Sequence, residues 1–211
     1  MRMPTLRAVL VTPLSGPLAR FGAAGAAALR LWATRASGLG APWTAVDLEV
    51  VDAHPAAGAA MRAAAARRPD LLFGPYGSGP AVAALAATGR TVWNHGGATG
   101  RLRRPAFGHA VNVPAPAATY FAGALRAIRA ADPATGRVAL LHGTTGFGLE
   151  VAEGAAATCR ELGLELVSAA FAPGHGAAAG AALPPADVLL VVGPFDDELA
   201  AARVARSAPS K

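Results

Sequence analysis

Short apolar runs alternate along this chain with longer stretches of helical periodicity, and that alternation is the signature of βαβ units on a parallel sheet. Leu6–Thr12, Thr44–Val51, Asp70–Phe73 and Thr91–Asn94 read as strands. Helices are expected between them near Phe21–Ser37, Ala56–Arg68 and Gly79–Thr88, each opened or closed by Gly or Pro. In the second strand Ala45, Leu48 and Val50 are set among Asp47 and Glu49, which suits a sheet edge with one face partly wet. A short strand at Ala110–Val113 and the stiff Pro114-Ala115-Pro116 run lead into a new helix, Ala117–Ala131. The boundary between two lobes falls there, giving one α/β lobe over 1–115 and a second over 116–211. The second reads as strand Arg137–His142, helix Gly148–Leu162, strand Glu165–Ala170, a weak helix around Ala177–Leu183, strand Val188–Val192 and helix Asp197–Ala205. The expected fold is α/β, two doubly wound parallel-sheet lobes with the second incomplete, because three strands fall short of the usual count of about four to six.

Composition narrows the function classes. Hydrophobic residues make up 53% of the 211 and charged residues 15%, the balance of a packed globular chain. A formal net charge of +6 brings nucleic acid to mind as a partner. The arginines are scattered apart from Arg101, Arg103 and Arg104 and the pair Arg67-Arg68, and only 6% of residues are aromatic, leaving little to stack on bases, so no nucleic acid is expected. One cysteine, Cys159, leaves no internal disulfide. Ala8–Val11 is shorter than the roughly 7–15 apolar residues of a signal-peptide core. Nothing approaches the roughly 20 apolar residues of a membrane span, so the sequence gives no sign of membrane insertion.

In open α/β sheets ligands sit at the carboxyl ends of the strands, which directs attention to four unusual loops. They are Pro13–Gly22 after the first strand, Gly74–Pro80 after the third, His95–Gly100 after the fourth, and Gly143–Gly148 in the second lobe. Glycines let backbone amides approach a ligand, and a helix N-terminus adds unpaired N–H groups, so such loops favour an anionic group such as a carboxylate. Ser78 and Thr99 place hydroxyls beside those amides. For each, helix capping and ligand contact both stay open at this point. Tyr76 and His95 occupy the same loops and are candidates by position.

Enzymatic and cofactor readings fit less well. His95-Gly96-Gly97 resembles an esterase oxyanion-hole segment, but the G-x-S-x-G elbow is absent, since Tyr76 stands where its first glycine belongs. Ser78 also precedes that segment, and no histidine follows Asp187, Asp196 or Asp197 to complete a triad. No G-x-G-x-x-G follows the first strand and no G-K-[ST] occurs, so no nucleotide cofactor is expected. The five histidines lie far apart with no pair at ligand spacing, so no metal is expected either.

Taken in order, these loops resemble the type I periplasmic binding proteins of the leucine/isoleucine/valine receptor kind, which serve ABC transporters. Pro13-Leu14-Ser15-Gly16-Pro17 through Phe21-Gly22 looks like that family's opening loop, Asp52-Ala53-His54-Pro55 like its turn after the second strand, and Gly74 through Ser78 like its G-x-x-x-S loop. The resemblance implies two α/β lobes that close on a solute without reaction, and an ABC permease as partner. It assigns Ser78 to the ligand carboxylate, Gly97 to a backbone contact, Thr99 to the carboxylate and amine site, and Phe21 to the side-chain pocket, with Ser15 in the opening loop. Phe147 and Phe195 fall where the family has tyrosines covering the ligand, and the lost hydroxyls make that wall more apolar. The resemblance places the family's acidic partner of the ligand ammonium and its later hinge crossings past Lys211, so a truncated chain is expected, with Asp196 or Asp197 as nearby carboxylates that could stand in. The expected ligand is an amino acid, amide or short-chain carboxylate. The family works in the periplasm or outside the cell, whereas the missing export signal favours a cytosolic ligand-sensing regulator of the same fold. An α/β hydrolase is the rival from another class.

Overall fold

A computed structural model of the chain describes residues 5–35 and 42–207. Two compact units divide it, Met1–Pro114 and Ala115–Lys211. In the first, strands β1 (Thr5–Thr12), β2 (Ala45–Asp52), β3 (Leu71–Phe73), β4 (Val92–Asn94) and β5 (Ala110–Asn112) form one parallel sheet in the order β2-β1-β3-β4-β5. The interior strand β1 is apolar almost throughout, with Leu6, Ala8, Val9, Leu10 and Val11 all buried, because both of its faces are covered. On one face Val9 and Val11 pack with Leu72 and Val92 against helices α2 (Ala57–Ala66) and α3 (Ser78–Leu85), through Met61, Ala64, Ala81, Ala84 and Leu85. Small alanines let these helices sit close to the sheet. Helix α1 (Ala19–Thr34) lies against β1 and β2 and buries Gly22 and Ala26. The end of the expected first helix, Ala36 and Ser37, lies outside the described residues.

The alternating second strand is an edge strand, with Asp47 and Glu49 exposed. Glu49 pairs with Arg67 at the surface, where an ion pair contributes little. Ala110–Asn112 completes the first sheet as its fifth strand, pairing with β4. Beside α1, the sheet is less covered: Leu29, Trp32, Leu71, Phe73 and Trp93 line an apolar groove of about 260 Å³. Trp93 and Val113 remain 40% and 65% exposed.

In the second unit β6 (Arg137–Gly143), β7 (Glu165–Phe171) and β8 (Val188–Val192) form a parallel sheet in the order β7-β6-β8. Its helices are α4 (Ala122–Ala131), α5 (Gly146–Leu162), α6 (Gly176–Ala181) and α7 (Phe195–Ser207). Leu141, Phe171 and Ala201 pack into one buried cluster, and Val138, Leu140, Val151, Ala155 and Cys159 are buried as well. The helix expected over Ala117–Ala131 is divided: Ala117–Thr119 makes a 3-10 turn before α4 begins. The Ala118 carbonyl lies where a Cβ on Gly154 of α5 would stand, and a tight first turn of this kind is common at helix starts. Helix α5 starts two residues earlier than the expected Gly148, because the Thr145 hydroxyl accepts a hydrogen bond from the Gly148 amide at 3.2 Å.

Candidate functional site

The order β2-β1-β3 makes the chain wind outward in opposite directions from β1 and β3, so the loops after those two strands diverge and leave a crevice at their carboxyl ends. In the second unit the order β7-β6-β8 places the same switch point between β6 and β8. Sheet topology thus singles out the loops that carry Ser15, Phe21, Tyr76 and Ser78 in one unit, and Phe147 and Phe195 in the other.

In the first unit these loops are tied together. Phe21, from the first turn of α1, stacks on Tyr76 with ring centroids 4.6 Å apart and planes within 8°. The Arg20 guanidinium lies 4.7 Å from the centre of the Phe21 ring. Tyr76 in turn forms a parallel bridge with Gly96, and the Gly77 amide donates to the Gly96 carbonyl at 3.0 Å. The loops after β1, β3 and β4 therefore form one platform. Gly77 starts α3 with φ 97°, a conformation that favours glycine. Among the described residues, neither the half-buried Ser78 hydroxyl nor the Ser78 and Gly79 amides at the start of α3 have a partner.

Other expected contacts are already engaged within the protein. The Ser15 hydroxyl donates to Asp52 at 2.7 Å and so braces its loop. Asp52 also accepts from the amides of His54 and Leu14, both at 2.9 Å. Those backbone donors, followed by Ser15, lower the Asp52 pKa to about 2. Gly97 is held at both ends by Asn94, whose side chain accepts from its amide at 2.8 Å and donates to its carbonyl at 2.7 Å. These two bonds fix the conformation of the loop around Gly97. Thr99 is buried, and its hydroxyl accepts from the Arg101 amide at 3.3 Å, capping the 3-10 turn Gly100–Arg103. His95 is half-buried with neither ring nitrogen hydrogen-bonded, and burial pushes its pKa down.

In the second unit Phe147 sits in the first turn of α5 and meets Tyr120 edge to face, with centroids 5.4 Å apart. Phe195 opens α7 and is 59% exposed. Asp197 is a structural anchor: its carboxylate accepts from the Gly174 and Gly176 amides at 3.0 and 2.9 Å, fixing the start of α6. Those two amides hold its pKa below the ordinary carboxylate value. It is therefore committed, and Asp196 alone of the pair stays exposed. Asp52, Asn94 and Tyr120 are the positioning residues that sequence reasoning did not single out. Only Asp52 carried a signal, its place in the Asp-x-x-Pro turn. Among the described residues no three His, Cys, Asp or Glu side chains gather as a metal site requires, and no helix is long and apolar enough to cross a membrane.

No family model and no curated protein matches the chain by sequence. Solved structures match it by fold. An extracellular ligand-binding receptor from Verminephrobacter eiseniae superposes with a TM-score of 0.78 at 19% identity, over 97% of this chain and 62% of that one. A leucine-, isoleucine-, valine-, threonine- and alanine-binding protein from Brucella ovis, in its closed conformation, gives 0.80 at 18% identity, over 97% and 58%. A solute-binding protein of an ABC transporter from Rhodopseudomonas palustris, in complex with 3,4-dihydroxybenzoic acid, gives 0.63 at 18% identity, over 80% and 47%. The fold is that of the type I periplasmic binding proteins, as the loops suggest. The chain spans about 60% of the length of the first two structures.

Proposed function

We propose that this chain is a solute-binding receptor for a small polar ligand, an amino acid, amide or short-chain carboxylate, serving ABC-type uptake, and that it binds without catalysing a reaction. The observation that carries this reading is the start of α3 at the β1/β3 switch point. There the Ser78 hydroxyl and the Ser78 and Gly79 amides are unpartnered, while the polar groups of Ser15, Gly97 and Asp197 are engaged within the protein. Unpaired amides at a helix N-terminus carry partial positive charge, and a hydroxyl beside them adds a directed donor, so the group that fits is a carboxylate. The Phe21–Tyr76 stack next to it offers an apolar wall for the rest of the ligand. Phe147 and Phe195 are assigned as further ligand cover on the strength of their loops after β6 and β8. The structural neighbours, which are solute-binding receptors, favour binding over catalysis.

A thermal-shift screen against amino acids, their amides and short-chain carboxylates tests this reading, because a ligand that binds only the folded state raises the melting temperature. The expected result is a concentration-dependent rise with one class of acid and a smaller rise with its amide. No rise with any of the three classes overturns the assignment.

A further inference from the structure

Among the described residues two side chains have all their polar atoms buried and unpartnered, Thr12 through its hydroxyl and His95 through both Nδ1 and Nε2, and of the two only His95 can take up a proton. Its seat is built by other elements. From α1 it meets Gly25, where a Cβ would come within 3.2 Å of Nε2, so the glycine lets the helix backbone lie close over the ring. The charged residues of α1 are directed elsewhere: Arg20 is stacked over Phe21, and Arg30 is exposed. From the turn after β3 it meets the Gly74 backbone, which favours the protonated ring and opposes the larger effect of burial. Tyr76 is the titratable residue of that turn, and no charged group acts on the imidazole among the described residues. A cation in such a seat has no counter-charge among the described residues and is penalised by burial, so protonation favours moving the ring or lifting α1.

The next residue makes that movement consequential. Gly96 bridges Tyr76, and its carbonyl accepts the Gly77 amide at 3.0 Å. Gly77 caps α3, and its own carbonyl accepts the Ala81 amide at 2.9 Å, the first hydrogen bond of that helix. The seat of His95 and the alignment of the Ser78 and Gly79 amides are therefore linked through two hydrogen bonds. We propose that His95 is a proton-operated latch on the solute site: neutral, it keeps the loop after β4 seated beneath α1 and the start of α3 formed, and protonated, it releases both, so that solute is let go in acid. The solute-release half of this statement rests on the proposed function. The latch itself does not.

Amide hydrogen exchange of the whole chain without solute tests the latch. The amides read are Gly77 and Ala81, between pH 7.5 and 5.5, after correction for the intrinsic rate. Protection is expected to fall with acid by up to about tenfold per pH unit below the ordinary histidine value. His95→Phe, which cannot be protonated, is expected to keep protection constant, and His54→Gln to behave as the parent does. Constant protection in the parent, or the same fall in His95→Phe, overturns the proposal. Where His95→Phe does not fold, the ring titration of His95 followed by NMR in the parent decides it: a midpoint below about 6.5 supports the latch and one at or above that value overturns it. A solute found by thermal shift is expected to bind more weakly at pH 5.5 than at 7.5 in the parent and in His54→Gln, and equally at both in His95→Phe. If no solute binds at either pH, the receptor reading fails while the exchange result still decides the latch.

Discussion

Ser78 differs from Ser15 and Thr99 in that its hydroxyl has no partner among the described residues. A hydrogen bond to a charged group contributes roughly 1.5–3 kcal/mol, so Ser78→Ala is expected to weaken binding of an acid by about tenfold to a hundredfold, with the α3 amides retaining the remainder. Calorimetry with the acid and its amide measures this, and equal affinity in parent and variant for both ligands rules the carboxylate assignment out. Ser15 is its opposite, a hydroxyl occupied by a carboxylate 37 residues away. Sequence marks both as serines in glycine-containing loops but is silent on which acceptor lies across the fold, so the two looked alike until Asp52 was placed. Asp52 carries its own prediction. Its folded pKa of about 2 lies below the ordinary value near 3.9, so the brace is complete above about pH 4 and is lost as the pH falls toward 2. Exchange protection of the Leu14 and His54 amides is expected to fall over that window, and in Asp52→Asn to be weak already at neutral pH.

The long elements were legible because their physics is local. An unbroken apolar run made β1, and helical spacing followed by Gly163 at φ 67° made α5 and its end. Element ends were less legible, since they turn on capping bonds such as Thr145 to Gly148 or on close approaches such as Ala118 to Gly154. The loop after β4 shows the same limit in the site. Gly97 was recognisable as a loop glycine, yet its purpose depends on Asn94, which is fully buried and also donates to the Asn112 carboxamide at 2.8 Å. Removing that side chain leaves a buried amide and carbonyl without partners, at a cost of about 1–3 kcal/mol for each unsatisfied group. Asn94→Ala is therefore expected to lower the urea midpoint of the first unit, and also to weaken solute binding although Asn94 touches no solute. Loss of stability with unchanged affinity would separate this loop from the site.

At the scale of the whole molecule, the two switch points were within reach of sequence reasoning, because βαβ alternation fixes parallel strands and loops at their carboxyl ends. What sequence did not reveal is how much of the first sheet stays uncovered beside α1, where Trp93 and Val113 keep 40% and 65% of their surface. Apolar surface of this kind favours association, and sedimentation is expected to show self-association that Trp93→Lys with Val113→Lys reduces. Monomer at all concentrations in the parent would count against it. The division into Met1–Pro114 and Ala115–Lys211 has its own consequence, in cooperativity. Two units, each with its own sheet and buried core, need not melt together, and a single van't Hoff transition is the behaviour of one cooperative block. Scanning calorimetry is expected to resolve two overlapping transitions, with total calorimetric enthalpy above the van't Hoff value of the composite curve. A solute held through Ser78 lifts the transition of the first unit, so the melting profile reports which unit holds it before any complex has been solved.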